Sequence, residues 1–371
     1  MIYAQYVNYL YSISCFLRIF MSLSVHIDGS IGEGGGQILR TALSLSIITG
    51  KSFGIHRIRA KRRNPGLRPQ HLAAIKIAKK ISKADTEGVN LNSTSVTFTP
   101  KTVRSGTFSV NIGTAGSVSL VLQTILAPLS IANSVSSVSV TGGTHVPWSP
   151  CFEYLDSIWS PFMKEIGYNF LVSLDSSGFY PQGEGKVNAV IQPNTKFKPL
   201  QKIQRGKLLS LTGISFVANL DKSIASRQKL KALKMLYETD LGIDNTKIRI
   251  KSTYLPSRFK GTGLFLKAEY ENGLGGFSSL GRKGKPAEKV AEEAVNKLLV
   301  FHREGGAVDM YMADQLLLPL SLVQAKSRFS TQKITNHFLT NREIILKFLP
   351  VNIASSQNND GKICISVNPD L

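Results

Sequence analysis

Three stretches of the chain repeat one arrangement of hydrophobic and polar positions. The first runs GGGQILRTALSLSIITG, then SFGIHRIRA, then RPQHLAAIKIAKKI. The second runs GSVSLVLQTILAPLSIA, SVSVTGG and CFEYLDSIWSPFMKEIG, and the third DMYMADQLLLPLSLVQA, RFSTQKIT and HFLTNREIILKFLP. Each opens with a nearly all-apolar run that predicts a buried helix. An alternating run follows, the pattern of a strand, and then a run of period near 3.6, the pattern of an amphipathic helix. Related fragments such as QTILAPLSIA and QLLLPLSLVQA recur between copies, as an internal repeat requires.

The predicted first helices begin near Gly36, Gly116 and Tyr311. The wider second interval leaves roughly a hundred residues beyond one repeat, enough for a small domain. The boundary falls after KVNAVIQP, where PNTKFKPLQKIQRGK is polar, basic and proline-containing. Beyond it the pattern predicts a strand (LLSLTGISFVANL), a helix (ASRQKLKALKMLYETDL) and two strands (KIRIKSTY and GLFLKAEY), with the main architecture resuming by GGFSSLGRKGKPAEKVAEEAVNKLLVF. The expected fold is α+β, with repeated helix-on-sheet units over 21–195 and 276–371 and an inserted α+β domain over 196–275.

Residues 1–20 differ from the rest. Their only charged residue is Arg18, so they lack the basic start of a signal peptide, and Gln5, Asn8, Ser12 and Ser14 interrupt any membrane span. We expect translation to begin at Met21, with the preceding residues a mis-assigned extension. The three cysteines, Cys15, Cys151 and Cys364, are odd in number and contain no CxxC pair. This argues against a disulfide framework or a structural zinc site and suits a reducing cytoplasm.

Charge narrows the partners. Against 24 acidic residues stand 45 Lys+Arg, a net +21, an excess that attracts nucleic acid or polyphosphate. The hydrophobic content of 42% excludes a mainly disordered chain. Pattern and charge leave the oligomeric state open.

Three segments carry candidate chemistry. In DGSIGEGGGQILR a glycine-rich turn leads into a helix whose N–H groups can meet an anion, but its spacing is neither GxGxxG nor GxxxxGK[ST]. Glu33 within that turn would repel a phosphate unless a divalent ion intervened, which makes it a candidate metal contact. In HRIRAKRRNPGLRPQH, strand alternation places Arg57, Arg59 and Lys61 on one face, and guanidinium groups suit bidentate phosphate binding. In TNHFLTNREIILKFLP, Thr335 and Asn336 are caps that put His337 in the first turn of a helix. The helix dipole there keeps its imidazole neutral and nucleophilic. His71 occupies the corresponding helix start of the first repeat, and pattern alone does not rank one histidine above the other.

The runs DGSIGEGGGQILRTALSLSIITGKSF, RIRAKRRNPGLRPQH, GTAGSVSLVLQT, VTGGT, GFYPQGEG, ADQLLLP and HFLTN occur in one order between Leu23 and Pro350. Together they resemble the RNA 3′-terminal phosphate cyclase family. The resemblance implies three βαβαββ-like units, with helices packed on four-stranded sheets, and one smaller inserted domain. It implies a cytoplasmic ligase that uses ATP and a divalent metal, Mg or Mn, to convert an RNA 3′-phosphate to a 2′,3′-cyclic phosphate. ATP becomes AMP and pyrophosphate through a histidine–AMP intermediate. Carried onto this sequence, His337 is the adenylated residue and Glu33 the metal carboxylate. Gln123, Pro147, Tyr311, Met312, Ala313, Asp314 and Gln315 contact ATP, while Arg40, Arg59, Arg62, Gln70 and His71 bind phosphate or RNA. Where the family has an Asn-Pro pair, this chain reads Val146-Pro147, which removes any contact from that Asn. Competing expectations are a noncatalytic RNA-binding ribosome-assembly relative, which lacks the histidine, and an enolpyruvyl-type transferase, which needs neither ATP nor that nucleophile.

Overall fold

The computed structural model describes residues 24–194, 196–357 and 361–369; the expected extension and the start at Met21 lie outside the described residues. The fold is mixed α+β, with four four-stranded sheets. The first sheet contains β1 (Val25–Asp28), β2 (Phe53–His56), β3 (Asp85–Glu87) and β4 (Val96–Thr99), with α1 (Gly36–Thr49) and α2 (Pro69–Ser82) between its first three strands. Its order is β1-β2-β4-β3. The second contains β5 (Thr107–Asn111), β6 (Ser136–Gly142), β7 (Asn169–Ser176) and β8 (Gly185–Gln192), in the order β5-β6-β8-β7. Its helices are α3 (Val118–Ser130), α4 (Phe152–Tyr154) and α5 (Ser160–Ile166), the last two joined through a π-helical turn at Leu155–Trp159.

After β9 (Gln201–Lys202) the chain builds a separate sheet from β10 (Leu208–Ala218), β11 (Ile248–Tyr254), β12 (Gly261–Tyr270) and β13 (Gly273–Leu280), in the order β11-β10-β12-β13. Helices α6 (Ser223–Tyr237) and α7 (Ala287–Glu304) pack on it. Then α8 (Met310–Ser321), β14 (Ser327–Thr331), α9 (Asn336–Phe348), β15 (Val351–Gln357) and β16 (Ile363–Pro369) complete a sheet with β9, ordered β15-β16-β14-β9. In this sheet and the first two, the two strands that come first in the chain pair parallel, and the remaining neighbours pair antiparallel. Among the described residues no helix is long and apolar enough to cross a membrane.

Two sequence expectations need correction. The boundary at 275 cuts through β13, and the one at 196 separates β9 from the strand it pairs with. β9 pairs with β14, while β13 pairs with β12 and α7 covers their sheet. Leu211, Ile250 and Leu266 share one core with Ala294, Leu298 and Phe301, so this sheet and α7 pack as one unit. The strand expected over SFGIHRIRA stops at His56, because Arg57 and Arg59 adopt left-handed φ values of 53° and 56°. There the chain turns around the glycine loop, and the Ile58 N–H donates to the Thr94 carbonyl at 3.0 Å. Alternation therefore does not set the direction of these arginines.

The apolar helices α1, α3 and α8 form the interior, where α1 packs against α3 and α9, and α9 against α8. This explains why their sequences lack a polar face: a helix covered on most sides buries most of its positions. A buried polar tie crosses this layer. The Asn341 side chain of α9 accepts from the Thr41 hydroxyl of α1 at 2.7 Å and donates to the Asp314 carbonyl of α8 at 2.7 Å. Thr41 and Asn341 are both buried. Each buried polar group left unpaired costs about 1–3 kcal/mol. Asn341→Ala should therefore lower the urea midpoint by more than the loss of a surface amide would, with Thr41→Val recovering part of the loss. Equal midpoints for wild type and Asn341→Ala would show that the tie carries no stability.

Candidate active site

The glycine loop, the arginine-rich turn and the start of α9 converge. Gly29 N–H donates to the His56 carbonyl at 2.7 Å, and Lys61 Nζ donates to the Gly32 carbonyl at 3.0 Å, so the loop after β1 is pinned to the turn after β2. Gly32, at φ 55°, lies against Thr340 of α9, and a Cβ there would fall 2.0 Å from the threonine hydroxyl. Only glycine allows both that backbone angle and that approach. The loop thus delivers Glu33 and the first turn of α1 to the first turn of α9.

Thr335 caps α9, its hydroxyl accepting from the Phe338 N–H at 3.1 Å, and His337 sits in the first turn, partly exposed. Its Nδ1 lies 2.8 Å from the Gln37 amide oxygen and its Nε2 lies 3.2 Å from Glu33. An amide oxygen only accepts, so this Gln37 orientation favours the proton on Nδ1, and the Nε2 lone pair is open to attack in the neutral ring once Glu33 turns to Arg62 or a cation. Burial is the main influence lowering the His337 pKa; the Arg40 and Arg62 charges add to it and Glu33 opposes it. Arg62 completes the group, 3.1 Å from Glu33.

His71 lies at the head of α2 and is buried, 7% exposed. Its Nδ1 accepts from the Arg68 N–H at 3.0 Å, so the neutral ring carries its proton on Nε2. That nitrogen faces Gly36, where a Cβ would lie 2.2 Å from it and 3.0 Å from Arg40 Nη1. Burial, then the charges of Arg40, Arg59 and Arg68, push the His71 pKa down to about 3. Gln70, beside it, accepts from the Ser117 N–H at the head of α3 at 2.8 Å.

On the other wall, the Gln123 side-chain amide donates to Gln315, whose own amide donates to the Tyr311 carbonyl at 2.7 Å. Burial lowers Arg40 to about 10, so it stays a cation at neutral pH. Burial raises Asp314 to about 8, and Arg40 only partly opposes this.

The structure therefore groups His337, Glu33, Arg62, Arg40, His71 and Gln70, and separately pairs Gln123 with Gln315. Arg59 is half-buried and within the charge field of Arg62 and Arg68, but its Nη1 braces the turn through the Asn64 and Gly66 carbonyls at 2.6 and 3.1 Å. Arg57 pairs with Asp28, whose carboxyl it holds well below the usual range. Met312 and Ala313 turn their side chains into the core, and the head of α8 is capped by the buried Asp309, which accepts from the Tyr311 and Met312 N–H groups. Pro147 is exposed on the loop beside Trp148. Gln37 and Asn341 were not singled out in the sequence. Each lies within a quoted motif, but only the contact across 300 residues gives it a role.

Residues 31–355 match the RNA 3′-terminal phosphate cyclase family. An RNA 3′-terminal phosphate cyclase of Methylococcus capsulatus is 41% identical over 355 residues, covering 93% of this chain and 97% of that protein. One of Caldivirga maquilingensis is 41% identical over 347 residues, covering 93% and 98%. The solved enolpyruvyl transferase NikO from Streptomyces tendae is 12% identical with a TM-score of 0.27, over 47% of this chain and 33% of that chain, too slight a likeness to argue from. The chain belongs to the RNA 3′-terminal phosphate cyclase family.

The approach of Gly36 to His71 can be tested by stability alone. Gly36→Ala should destabilise by about 1–3 kcal/mol, because a buried ring must move. In a His71→Ala background the same change should cost at least about 1 kcal/mol less, read from urea titrations as a double-mutant cycle. Additive losses would mean that the two residues do not press on each other.

Proposed function

We propose that this chain converts the 3′-phosphate end of RNA to a 2′,3′-cyclic phosphate, with ATP consumed to AMP and pyrophosphate and His337 carrying AMP between the two. The observation that carries the reading is the His337 ring itself. Its Nδ1 is held by Gln37, and its Nε2 points at the Glu33–Arg62 pair beside the glycine loop.

Nε2 attacks the α-phosphorus of ATP, forming an N–P bond as the bond to pyrophosphate breaks. Arg40, Arg62 and the Nε2–H of His71 hold the charge of the departing phosphates in a desolvated cleft, where each donor counts for more than in water. An oxygen of the RNA 3′-phosphate then takes the AMP from His337 and restores the free imidazole. The neighbouring 2′-hydroxyl attacks the activated 3′-phosphorus, loses its proton and expels AMP. Gln123, Gln315 and Tyr311 supply polar groups for the nucleotide, joined by Asp314. Met312 and Ala313 hold the backbone of that segment, and Pro147 borders it.

Among the described residues no group of three His, Cys, Asp or Glu is placed to hold a metal. Glu33 alone still fits a magnesium or manganese ion whose other contacts come from phosphate and water, an arrangement usual for such ions. When bound, that ion offsets triphosphate charge. We further read the three sheets of like order as copies of one βαβαββ unit and the fourth sheet as an inserted domain, and we assign the protein to the cytoplasm, with free thiols at Cys151 and Cys364.

With labelled ATP, the protein should acquire an acid-labile, alkali-stable adenylate, and His337→Ala should abolish it while the far-UV spectrum stays unchanged. Label persisting in a folded His337→Ala protein would place the nucleophile elsewhere. The His337 titration gives an independent check. Because burial lowers its pKa, the ring should protonate with a midpoint below the usual 6.5 and be neutral above it. Removing the opposing carboxylate in Glu33→Gln should lower the midpoint further. Imidazole C–H resonances, assigned by their loss in His337→Ala, would show this; a midpoint above 6.5 would contradict it.

A further inference from the structure

An open cavity of about 410 Å³ lies between the second sheet and the inserted unit, lined by Asn111, Thr114, Thr141, Gln182, Glu184 and Arg258. It uses two sequence runs that the adenylyl site leaves idle, GTAG and GFYPQGEG. The two runs form one wall, with Gly183 packed on the backbone of Thr114 and Ala115. Arg258 comes from the inserted unit, where the Ser177 N–H donates to the Pro256 carbonyl at 2.7 Å and fixes the approach.

The lining is hydroxyl, amide, one carboxylate and one guanidinium, without a large apolar side chain. A lone phosphate would meet the Glu184 carboxylate, and an apolar ligand would find no partner. A ribose hydroxyl beside a phosphodiester satisfies both charged groups, the hydroxyl donating to the carboxylate and the phosphate facing the guanidinium. Glu184 is held in the left-handed region at φ 56°, and Arg258 ion-pairs with it at 2.8 Å. A residue with a Cβ keeps that angle at a cost, and such strain concentrates at binding sites.

The cavity also lies close to the candidate active site. Gly113 and Thr114 reach it, while three residues on, Gly116 packs on Gln70 and the Ser117 N–H bonds to the same side chain. Three residues span at most about 11 Å of extended chain. The cavity edge is therefore within a short step of the arginine-rich turn, yet outside the group that holds the reacting 3′-phosphate.

Resting on the cyclase reading above, we infer that this cavity holds the nucleotide preceding the 3′-terminal one. Glu184 accepts a hydrogen bond from that nucleotide's 2′-hydroxyl, and Arg258 faces its phosphodiester. The terminal ribose cannot be the occupant, because its own 2′-hydroxyl must reach the activated phosphorus.

The test compares two short 3′-phosphorylated oligoribonucleotides that differ only in a 2′-deoxy sugar at the penultimate position. For the wild type, kcat/KM for cyclisation should favour the all-ribose strand about tenfold, the value of one hydrogen bond to a charged group. In Glu184→Gln the ratio should fall towards one. A wild-type ratio near one, or a ratio that survives in Glu184→Gln, overturns the inference. If neither strand is cyclised, the cyclase reading fails. The same ratio taken from dissociation constants by fluorescence anisotropy then decides the inference on its own.

Discussion

The arrangement of this protein depends on one buried amide. Asn341 joins α1 through the Thr41 hydroxyl and α8 through the Asp314 carbonyl, within largely apolar helix packing. Apolar contacts between helices tolerate sliding and rotation, because dispersion has little directional preference. Two short hydrogen bonds in a medium without water do not, since any shift leaves a polar group unpaired at real cost. Several residues of the site lie within a turn or two of this tie. His337 is one turn before Asn341, Gln37 and Arg40 precede Thr41, and Gln315 follows Asp314. Fixing the register of three helices at one point fixes the distances among side chains from all three.

The second constraint is electrostatic. A net charge of +21 draws polyanions from a distance, but within the cleft the same cations must not protonate or neutralise the groups that act. Burial and the neighbouring Arg40 and Arg62 hold the His337 pKa below its ordinary value, which preserves a lone pair. Burial also raises Asp314, against the pull of Arg40, so its carboxyl offsets less of the Arg40 charge than an ordinary aspartate would. Glu33 lies at the more accessible edge, where it meets Arg62 and His337. The site thus keeps its positive field while the His337 and Asp314 pKa values are moved away from their ordinary ranges.

Much of this was legible in the sequence, for identifiable reasons. The nearly all-apolar runs GGGQILRTALSLSIITG, GSVSLVLQTILAPLSIA and DMYMADQLLLPLSLVQA announced helices buried on most sides, and these became the inner layer. Glycine spacing announced a loop of close approach, and Thr335 announced the cap before His337. What failed depended on partners distant in sequence. Alternation over SFGIHRIRA could not reveal that Arg57 would pair with Asp28 and end the strand. The resumption of the main pattern by GGFSSLG could not reveal that β13 would pair antiparallel with β12. Gln37 and Asn341 carry no local signature, because a glutamine and an asparagine within helices gain meaning only from what faces them.

The two histidines illustrate the same point at the level of a single proton. Both sit in the first turn of an amphipathic helix, and pattern alone did not separate them. Their hydrogen bonds do. His71 receives a backbone N–H on Nδ1, so its proton resides on Nε2 and the ring presents a donor towards Gly36 and Arg40. His337 meets the Gln37 amide oxygen on Nδ1, which favours the proton there and, in that tautomer, leaves a lone pair on Nε2. A donor suits an anion that must be held, and a lone pair suits a phosphorus that must be attacked. Exchanging the two tautomers would leave the composition of the cleft unchanged and remove its capacity for nucleophilic attack, since the His337 Nε2 would then carry hydrogen. The partner of the distal nitrogen, a backbone amide in one case and Gln37 in the other, therefore assigns the role.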